Sequence, residues 1–367
     1  MATGILNDRL IGELVDDGAV VPAHPLAEAQ VQPASLDLRL GEVAYRVRAS
    51  FLPGENVTVA EKLARFALHE IDLTNGAVLE TGCVYIVPLL ERLRLPAGVA
   101  AAANPKSSTG RLDIFTRVII DGGRQFDLVP PGYDGPLYIE VSPRTFPILA
   151  RTGSRLSQMR FRHGEAQLSE MELLLLHERE GLVAASSPSI TERGIAMSVS
   201  LDERMDDLHP EGPLIGYRAK RHSAVVDVDR PGAHDVLDYW EPLRARGRAE
   251  LVLDPDQFYI LVSREAIHVP PSHAAEMVPF DPLVGEFRVH YAGFFDPGFG
   301  HGAAGGTGAR AVLEVRSHEV PFILEHGQTV GRLVYERMIE APQTLYGADL
   351  ASNYQAQGLK LSKHFRA

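Results

Sequence analysis

The chain has 367 residues, of which 45% are hydrophobic and 23% are charged. At ~100–200 residues per domain this length predicts about two domains, and the apolar content excludes wholesale disorder. Lys and Arg total 36 against 48 Asp and Glu, a net charge of −12 that argues against a general nucleic-acid or membrane-surface binder. An anionic ligand can still bind in a local basic pocket. The lone cysteine, Cys83, excludes an intrachain disulfide and a Cys-based zinc cage.

The sequence also predicts a cellular location. No run approaches the ~18 apolar residues of a transmembrane helix. Residues Met1 to Asp8 lack the basic region and the apolar region of a secretory signal peptide. A reducing cytoplasm is therefore the expected compartment.

The predicted elements are mostly strands. A short helix comes first, because Asp8 to Asp16 carries apolar residues such as Leu10 and Leu14 at helical spacing and stops before Gly18. Short segments rich in Val, Ile, Tyr and Leu, separated by Pro/Gly turns, then predict a mainly β fold of the barrel or jelly-roll-like sandwich type. These strand segments are Val84–Leu89, Leu137–Val141, Phe258–Val262 and Ala311–Val315.

A second short helix is predicted in the middle of the chain. Ser169 to Glu172 forms a capping box that opens a helix through Leu173–Leu176. Together with the polar run Ser186–Ser189, this helix marks the predicted domain junction, with one domain over residues 1–185 and the other over 186–367. Its four leucines predict an interdomain packing stripe rather than a membrane or partner helix.

The chain contains an internal repeat. Val78–Ile86 resembles a segment around Tyr259, and Leu137–Pro147 resembles a segment around Glu314. Tyr85 aligns with Tyr259 and Glu140 with Glu314, and the two members of each pair are 174 positions apart. A constant offset over both segments predicts a duplicated domain.

Two features could carry chemistry. Asn104–Arg111 is a turn-rich segment with three hydroxyls and two cations, which suits phosphate oxygens but also fits an ordinary solvated loop. Glu140 and Glu314 each lie within an apolar strand, where a carboxylate is costly unless it is paired or functional. The alternative is that both glutamates face solvent, as strand alternation allows.

Four motifs follow one another along the chain, and they are Gln32–Gly41, Pro105–Arg111, Phe295–Phe299 with Val312–Val315, and Tyr354–Gly358. In this order they resemble the dCTP deaminase family of the trimeric dUTPase-like superfamily. The resemblance implies two tandem dUTPase-like domains, of β-clip or jelly-roll-like barrel type, with a few short helices. The first repeat would carry the phosphate loop, and the second the base-binding hairpin, the catalytic glutamate and a closing C-terminal tail.

The resemblance implies hydrolytic deamination of dCTP to dUTP and ammonia without zinc, supplying dUTP for dTTP synthesis. The presence of only one cysteine is consistent with a reaction without zinc, because zinc deaminases need a His/Cys cage. A buried glutamate would activate water for attack on cytosine C4. Mg²⁺ would arrive with the triphosphate rather than occupy a protein cage. The resemblance also implies feedback inhibition by dTTP and a homo-oligomer with a trimeric arrangement of domains.

The family pattern assigns roles to residues of both repeats. In the first repeat, Ser107 and Arg111 would help to hold the water and the glutamate, and Lys106, Ser107 and Ser108 would contact phosphate. Asn353 stands where the family has a tail lysine, so one phosphate contact of the tail differs. The second repeat and the tail supply the other predicted substrate-binding residues, which are Ala292, Asp296, Tyr346, Tyr354 and Gln357.

The motifs are divided unevenly between the repeats. Val278–Phe287 replaces the phosphate loop in the second repeat and contains no Ser, Lys or Arg, whereas Ala292–Phe299 keeps the hairpin motif. In the first repeat the hairpin has an insertion, and Pro130 stands where the family has aspartate. This predicts a composite site, formed by the first repeat's phosphate loop and by Glu314, within one chain or between chains. Glu140 is the alternative catalytic glutamate.

Two other functions remain open from the sequence. A bifunctional dCTP deaminase and dUTPase would use an aspartate, for which Asp296 is the candidate, to activate water for attack on phosphorus. A non-catalytic nucleotide-binding sensor is the second alternative, because the second repeat has lost its phosphate loop.

Overall fold

The computed structural model describes residues 2–184, 188–201, 212–245, 249–279, 287–289, 293–317, 319–347 and 358–366. We call residues 2–165 the first half and residues 168–366 the second half. The helices are α1 (Asp8–Asp16), α2 (Val59–Phe66), α3 (Ser107–Gly110), α4 (Glu170–Glu180), α5 (Val236–Tyr239) and one 3₁₀ turn (Gly302–Ala304).

The strands of the first half are β1 (Gly4–Ile5), β2 (Val20–Pro22), β3 (Val31–Gln32), β4 (Ser35–Arg39), β5 (Val43–Val47), β6 (Ala67–Asp72), β7 (Ala77–Leu79), β8 (Val84–Arg94), β9 (Val99–Pro105), β10 (Ile114–Ile120), β11 (Leu128–Val129), β12 (Asp134–Pro143), β13 (Ile148–Ala150) and β14 (Arg155–His163). Those of the second half are β15 (Ile190–Thr191), β16 (Gly194–Ser198), β17 (Leu214–Ala219), β18 (Val226–Asp227), β19 (His234–Asp235), β20 (Trp240–Arg244), β21 (Glu250–Leu253), β22 (Phe258–Ile267), β23 (His273–Pro279), β24 (Phe287–Val289), β25 (Phe294–Phe295), β26 (Ala309–Ser317), β27 (Phe322–Glu325), β28 (Thr329–Arg337) and β29 (Phe365–Arg366). The prediction of a mainly β fold with a few short helices is confirmed.

Each half is a sandwich of two sheets. In the first half one sheet has the order β11-β9-β14-β4-β3, with β1 on β14, and the other has the order β10-β12-β8-β5-β6, with β2 on β8. In the second half the orders are β15-β16-β28-β23-β25 and β20-β17-β22-β26-β24. Apolar side chains of both sheets fill each sandwich, as the alternation of strand residues requires. None of the described helices is long and apolar enough to cross a bilayer.

Corresponding strands of the two halves pair in the same register. In the first half β8 pairs with β12 so that Ile86 lies opposite Glu140. In the second half β22 pairs with β26 so that Ile260 lies opposite Glu314. Both residues of the second pair are 174 positions beyond those of the first. Glu140 and Glu314 therefore occupy corresponding positions on their sheets.

Local signals set the two helices that the sequence predicts. α1 begins after Asn7, whose side chain accepts a hydrogen bond from the Leu10 N–H, and it ends at Asp16 as predicted. In α4 the capping box is present at Ser169, and the helix continues to Glu180, where Gly181 follows in the left-handed conformation with φ of 64°.

The interdomain stripe predicted for α4 is wrong. Leu173 and Leu176 are buried in the core of the second half, and every residue of that cluster belongs to the second half. Leu175 is 58% exposed because it lies on the opposite face of the helix. α4 thus packs on the second sandwich instead of between two domains.

A shared apolar core joins the halves. The ring of Phe146 from the first half packs at 5.4 Å from Trp240, 5.6 Å from Tyr239 and 6.4 Å from Phe365, measured between ring centroids. Beside it, β13 of the first half pairs in parallel with β18 of the second half. The halves are therefore packed as one unit. The domain boundary between residues 185 and 186 stays a prediction and lies outside the described residues.

Replacement of Phe146 by alanine tests this shared core. Phe146 is fully buried, and the loss of a buried ring lowers the free energy of unfolding by about 3–5 kcal/mol. Urea unfolding is followed by the fluorescence of Trp240, the one tryptophan of the chain, and by circular dichroism. The midpoints of both transitions should move to lower urea concentration by the same amount. Leu68→Ala is the control, because Leu68 is 59% exposed and its loss should change stability little. A change below about 1 kcal/mol for Phe146→Ala would contradict a core shared by the halves.

Candidate active site

A cavity of about 550 Å³ lies between the two halves. From the first half it is lined by Asp37, Lys106, Ser107, Ser108, Arg111 and Arg155. From the second half it is lined by Asp296, Phe299, Arg310, Glu314, Tyr346 and Lys363. Polar and charged groups of both halves thus meet in one space within a single chain.

The predicted phosphate loop is a single helical turn at the end of β9. Lys106 precedes the turn, and its carbonyl accepts a hydrogen bond from the Gly110 N–H at 3.0 Å. The Ser107 carbonyl accepts one from the Arg111 N–H at 3.1 Å. Because the turn is tight, the Ser107 side chain and the Arg111 guanidinium line the same cavity.

Glu314 lies on β26, between β22 and β24, and its side chain is only 7% exposed. Burial raises the pKa of its carboxyl to about 8, and the nearby Arg111 guanidinium opposes that rise. The distance from Arg111 Nε to Glu314 Oε1 is 3.9 Å. A cation of the first half therefore faces a buried carboxyl of the second half, and the burial favours the protonated form of this carboxyl.

Glu140 occupies the corresponding strand position but has different neighbours. Arg117, on the adjacent strand, donates to Glu140 Oε1 from Nη2 at 2.6 Å and from Nε at 3.1 Å. The same guanidinium donates to Ser50 Oγ at 2.8 Å and lies 3.5 Å from the ring centroid of Phe126. Glu140 is thus neutralised within its own half, and it is not among the residues that line the cavity.

Basic residues gather at one end of the cavity. Asp37, buried, forms an ion pair with Lys106, and its Oδ2 lies 3.4 Å from Arg155 Nη1. Lys363 lines the same cavity, where its burial and the charge of Lys106 lower the pKa of its ammonium group. Asp229, the other acid here, pairs with an arginine of the first half. Three basic residues around Asp37 make this end of the cavity a candidate site for an anion.

A C-terminal segment fastens the phosphate loop. The Lys360 carbonyl accepts a hydrogen bond from Arg111 Nη1 at 3.1 Å, and the Ser362 hydroxyl donates to the Ser108 carbonyl at 2.8 Å. The segment ends in β29, which pairs with β19. These contacts bring Lys363 to the cavity from a position far along the chain.

Asp296 is buried in the part of the cavity wall that the second half forms. Its Oδ1 lies 3.5 Å from Nη2 of Arg160, a residue of β14 in the first half. Burial raises the pKa of Asp296, and Arg160 opposes the rise. The Arg160 guanidinium also lies 4.0 Å from the ring centroid of Phe294. Arg160 therefore holds the segment around Asp296 against the first half.

Aromatic rings form the apolar part of the cavity wall. The Phe299 ring packs at 5.0 Å from Phe295 and at 5.7 Å from Tyr346. The Tyr346 N–H donates to the Pro297 carbonyl at 3.0 Å. Gly298 permits this crossing, because its φ is 97° and a Cβ there would lie 3.1 Å from the Tyr346 carbonyl oxygen.

The structure brings most of the predicted site residues together. Ala292, Tyr354 and Gln357 lie outside the described residues, and Glu140 lies apart from the cavity. Sequence reasoning missed several lining or supporting residues, although one of them, Asp37, falls within the Gln32–Gly41 motif. The predicted residues around the cavity are Lys106, Ser107, Ser108, Arg111, Asp296, Glu314 and Tyr346. The missed residues are Asp37, Arg155, Arg160, Arg310 and Lys363.

Family models match both halves of the chain. The model of the 2'-deoxycytidine 5'-triphosphate deaminase N-terminal domain matches residues 2–165, and that of its C-terminal domain matches residues 169–365. The chain belongs to the dCTP deaminase family. A crystal structure of 2'-deoxycytidine 5'-triphosphate deaminase from Agrobacterium tumefaciens is similar over 94% of this chain and 100% of that one, with 66% sequence identity and a TM-score of 0.87. The dUTPase-like fold of the family is thereby confirmed.

Curated relatives are similar over part of the chain. A dCTP deaminase (dUMP-forming) of Coprothermobacter proteolyticus is 31% identical over 164 residues, which cover 43% of this chain and 81% of the relative. A dCTP deaminase of Halorubrum lacusprofundi is 32% identical over 162 residues, which cover 43% of this chain and 76% of the relative. Family membership thus rests on both sequence and structure.

Replacement of Lys363 by alanine tests the anion site. A charge-assisted hydrogen bond to phosphate contributes about 1.5–3 kcal/mol, so Lys363→Ala should weaken the binding of inorganic tripolyphosphate about tenfold or more in calorimetric titration. The matched control is Arg366→Ala, which removes one exposed cation from the same segment and should change binding little. Equal dissociation constants for Lys363→Ala and the unaltered protein would show that Lys363 contributes nothing to the site.

Proposed function

We propose that this enzyme removes the exocyclic amino group of dCTP by hydrolysis and releases dUTP and ammonia. The observation that carries the proposal is the Arg111–Glu314 contact at 3.9 Å in a cavity whose other end is basic. The family match supports the same reaction, since both the Halorubrum relative and the 66% identical structure bear the name of this deaminase.

The residues that line the cavity suit a nucleoside triphosphate. The triphosphate would bind at the end formed by Lys106, Arg155 and Lys363, with Ser107 and Ser108 as hydroxyl donors. The base and the deoxyribose would lie along the aromatic wall. In this placement the cytosine C4 atom would lie next to the buried carboxyl of the second half.

Glu314 is the proposed proton carrier. Because 3.9 Å is longer than a direct hydrogen bond, one water can bridge Arg111 and Glu314, with Ser107 as a further partner. The ionised carboxylate takes a proton from this water as the water oxygen bonds to C4. The carboxyl group then gives that proton to N3 of the cytosine. It then moves the proton of the C4 hydroxyl to the amino nitrogen, the C4–N bond breaks, and ammonia leaves.

Magnesium is proposed to bind with the triphosphate. In the part of the chain that the structure describes, no group of three His, Cys, Asp or Glu side chains could hold a metal. Mg²⁺ commonly needs only one or two carboxylates plus substrate phosphates. Asp37 fits this requirement, because its buried Oδ1 has no hydrogen-bond partner among the described residues, and Asp229 lines the same cavity. When bound, the ion neutralises phosphate charge.

A second candidate is a bifunctional enzyme that also releases pyrophosphate and forms dUMP. The Coprothermobacter relative is named dUMP-forming. The charges of Asp37 and Lys106 affect the pKa of Asp296. Asp296 therefore lies near the basic end of the cavity, where attack on phosphorus would occur. Pyrophosphate equal in amount to ammonia would establish this candidate, whereas ammonia alone would establish dUTP as the product. Inhibition by dTTP, a trimeric arrangement of domains and a cytoplasmic location stay predictions.

Two glutamine variants at corresponding strand positions test the proposed base. Glu314→Gln should lower kcat by about 10²–10⁴-fold, because a carboxamide cannot carry the proton. Glu140→Gln, the matched control, should keep kcat within about threefold, since its partner Arg117 can still donate to the amide oxygen. Both are measured as ammonia release from dCTP. Loss of turnover in Glu140→Gln with retention in Glu314→Gln would reverse the assignment, and tight dCTP binding without ammonia release by the unaltered protein would indicate a sensor.

The pH dependence of turnover should follow the Glu314 carboxyl. Burial raises its pKa to about 8, and only the ionised form accepts a proton from water. Log kcat/KM should therefore rise with pH by about one unit per pH unit on the acid side and level off near pH 8. Ammonia release at dCTP concentrations well below KM, from about pH 6 to 9, measures this limb. A flat profile over that range would contradict a proton acceptor with so high a pKa.

A further inference from the structure

A buried ion pair crosses between the halves close to the proposed catalytic contact. Arg316 of the second half forms an ion pair with Asp113 of the first half, and its Nε lies 3.5 Å from Asp113 Oδ1. Thr145 joins the pair, accepting from Arg316 Nη2 at 3.0 Å and donating to Asp113 Oδ2 at 2.5 Å. Asp113 and Arg316 are both buried, so the pair is shielded from solvent and strongly directional.

The sequence positions place this pair directly beside the site. Arg316 follows Glu314 by two residues on β26, so both side chains point to the same face of the sheet. Asp113 follows Arg111 by two residues at the end of the phosphate-loop turn, where its N–H donates to the Gly110 carbonyl at 2.9 Å. The Asp113–Arg316 pair and the Arg111–Glu314 pair therefore connect the same turn to the same strand.

The backbone at Asp113 lies in a conformation that few side chains adopt. Its φ is 56°, in the left-handed region that glycine adopts without steric cost and that Asp and Asn enter more readily than other residues. Asp113 is also 1% exposed. A buried carboxylate is costly unless it is paired. The contact with Arg316 supplies that pairing.

We infer that Asp113 and Arg316 are positioning residues that set the distance between Arg111 and Glu314. This inference rests on the proposed function. The ion pair fixes the phosphate-loop turn against β26, and Arg111 is carried on that turn. Without the pair the turn can move away from the strand. The Arg111 guanidinium then no longer holds the proposed water, and it no longer opposes the rise in the pKa of Glu314.

The test is the double variant Asp113→Gly/Arg316→Met. Single neutral variants leave a buried charge unpaired, whereas the double variant removes both charges, keeps the local net charge and relieves the backbone. We expect a folded protein whose kcat for dCTP falls at least tenfold while KM changes less than threefold. The acid limb of its profile of kcat/KM against pH should also move to higher pH by at least half a unit, because the Arg111 guanidinium lowers the pKa of Glu314 less.

The control is Arg9→Gln/Glu340→Gln, which removes another ion pair between the halves, with Nε and Oε1 2.7 Å apart, at an exposed place. It should keep both kcat and the pH limb. Arg316→Lys is the second variant: it keeps the charge but loses the forked geometry, and it should shift both quantities in the same direction as the double variant. If the double variant does not fold, the kcat and the pH limb of Arg316→Lys test the inference alone.

The outcomes separate this inference from the proposed function. Absence of ammonia release by the unaltered protein would overturn the proposed function. An active unaltered protein whose folded double variant, or whose Arg316→Lys variant, keeps the original kcat and pH limb would overturn the positioning role alone. A fall in kcat with an unmoved pH limb would also overturn it, because a purely structural pair predicts that result.

Discussion

The contact between Arg111 and Glu314 requires that the two halves keep a fixed position relative to each other. A carboxyl buried among apolar strands is costly when ionised, and a cation a few ångströms away makes the ionised form accessible. The two residues belong to different halves, so the contact exists only while the halves keep a fixed relation. The shared core around Phe146 and the pairing of β13 with β18 provide that relation.

Glu140 and Glu314 show how the same residue type at corresponding positions acquires different chemistry. Glu140 receives two hydrogen bonds from Arg117 on the neighbouring strand of its own sheet. Glu314 has instead a cation from the other half at 3.9 Å and a raised pKa of about 8. Glu140 therefore has a close partner in its own half, whereas Glu314 is paired more loosely and faces the cavity. The same residue type at corresponding strand positions thus has different surroundings in the two halves.

Local and repeated patterns were predictable from the sequence, and long-range contacts were not. The spacing of apolar residues predicted where α1 begins and ends, and the capping box predicted where α4 begins. The motifs predicted Glu314 as a site residue. Lys363 was missed because a lysine in a polar C-terminal run resembles a solvated one. The burial of Leu361 and Phe365 in the shared core, together with the hydrogen bonds of Lys360 and Ser362, brings Lys363 to the cavity. Arg160 was missed for the same reason, since its partner Asp296 lies in the other half.

The net charge of −12 does not oppose an anionic ligand at this site. Exposed charges are screened within about 8 Å at physiological ionic strength, so the cavity is governed by the groups that line it. Asp37 has a defined part in this balance: buried between Lys106 and Arg155, it keeps two like charges close together before a ligand arrives. A triphosphate adds negative charge to cations that are already in place, which lowers the ordering cost of binding. The same carboxylate that reduces the positive field of the cavity therefore keeps the cations arranged for the anion.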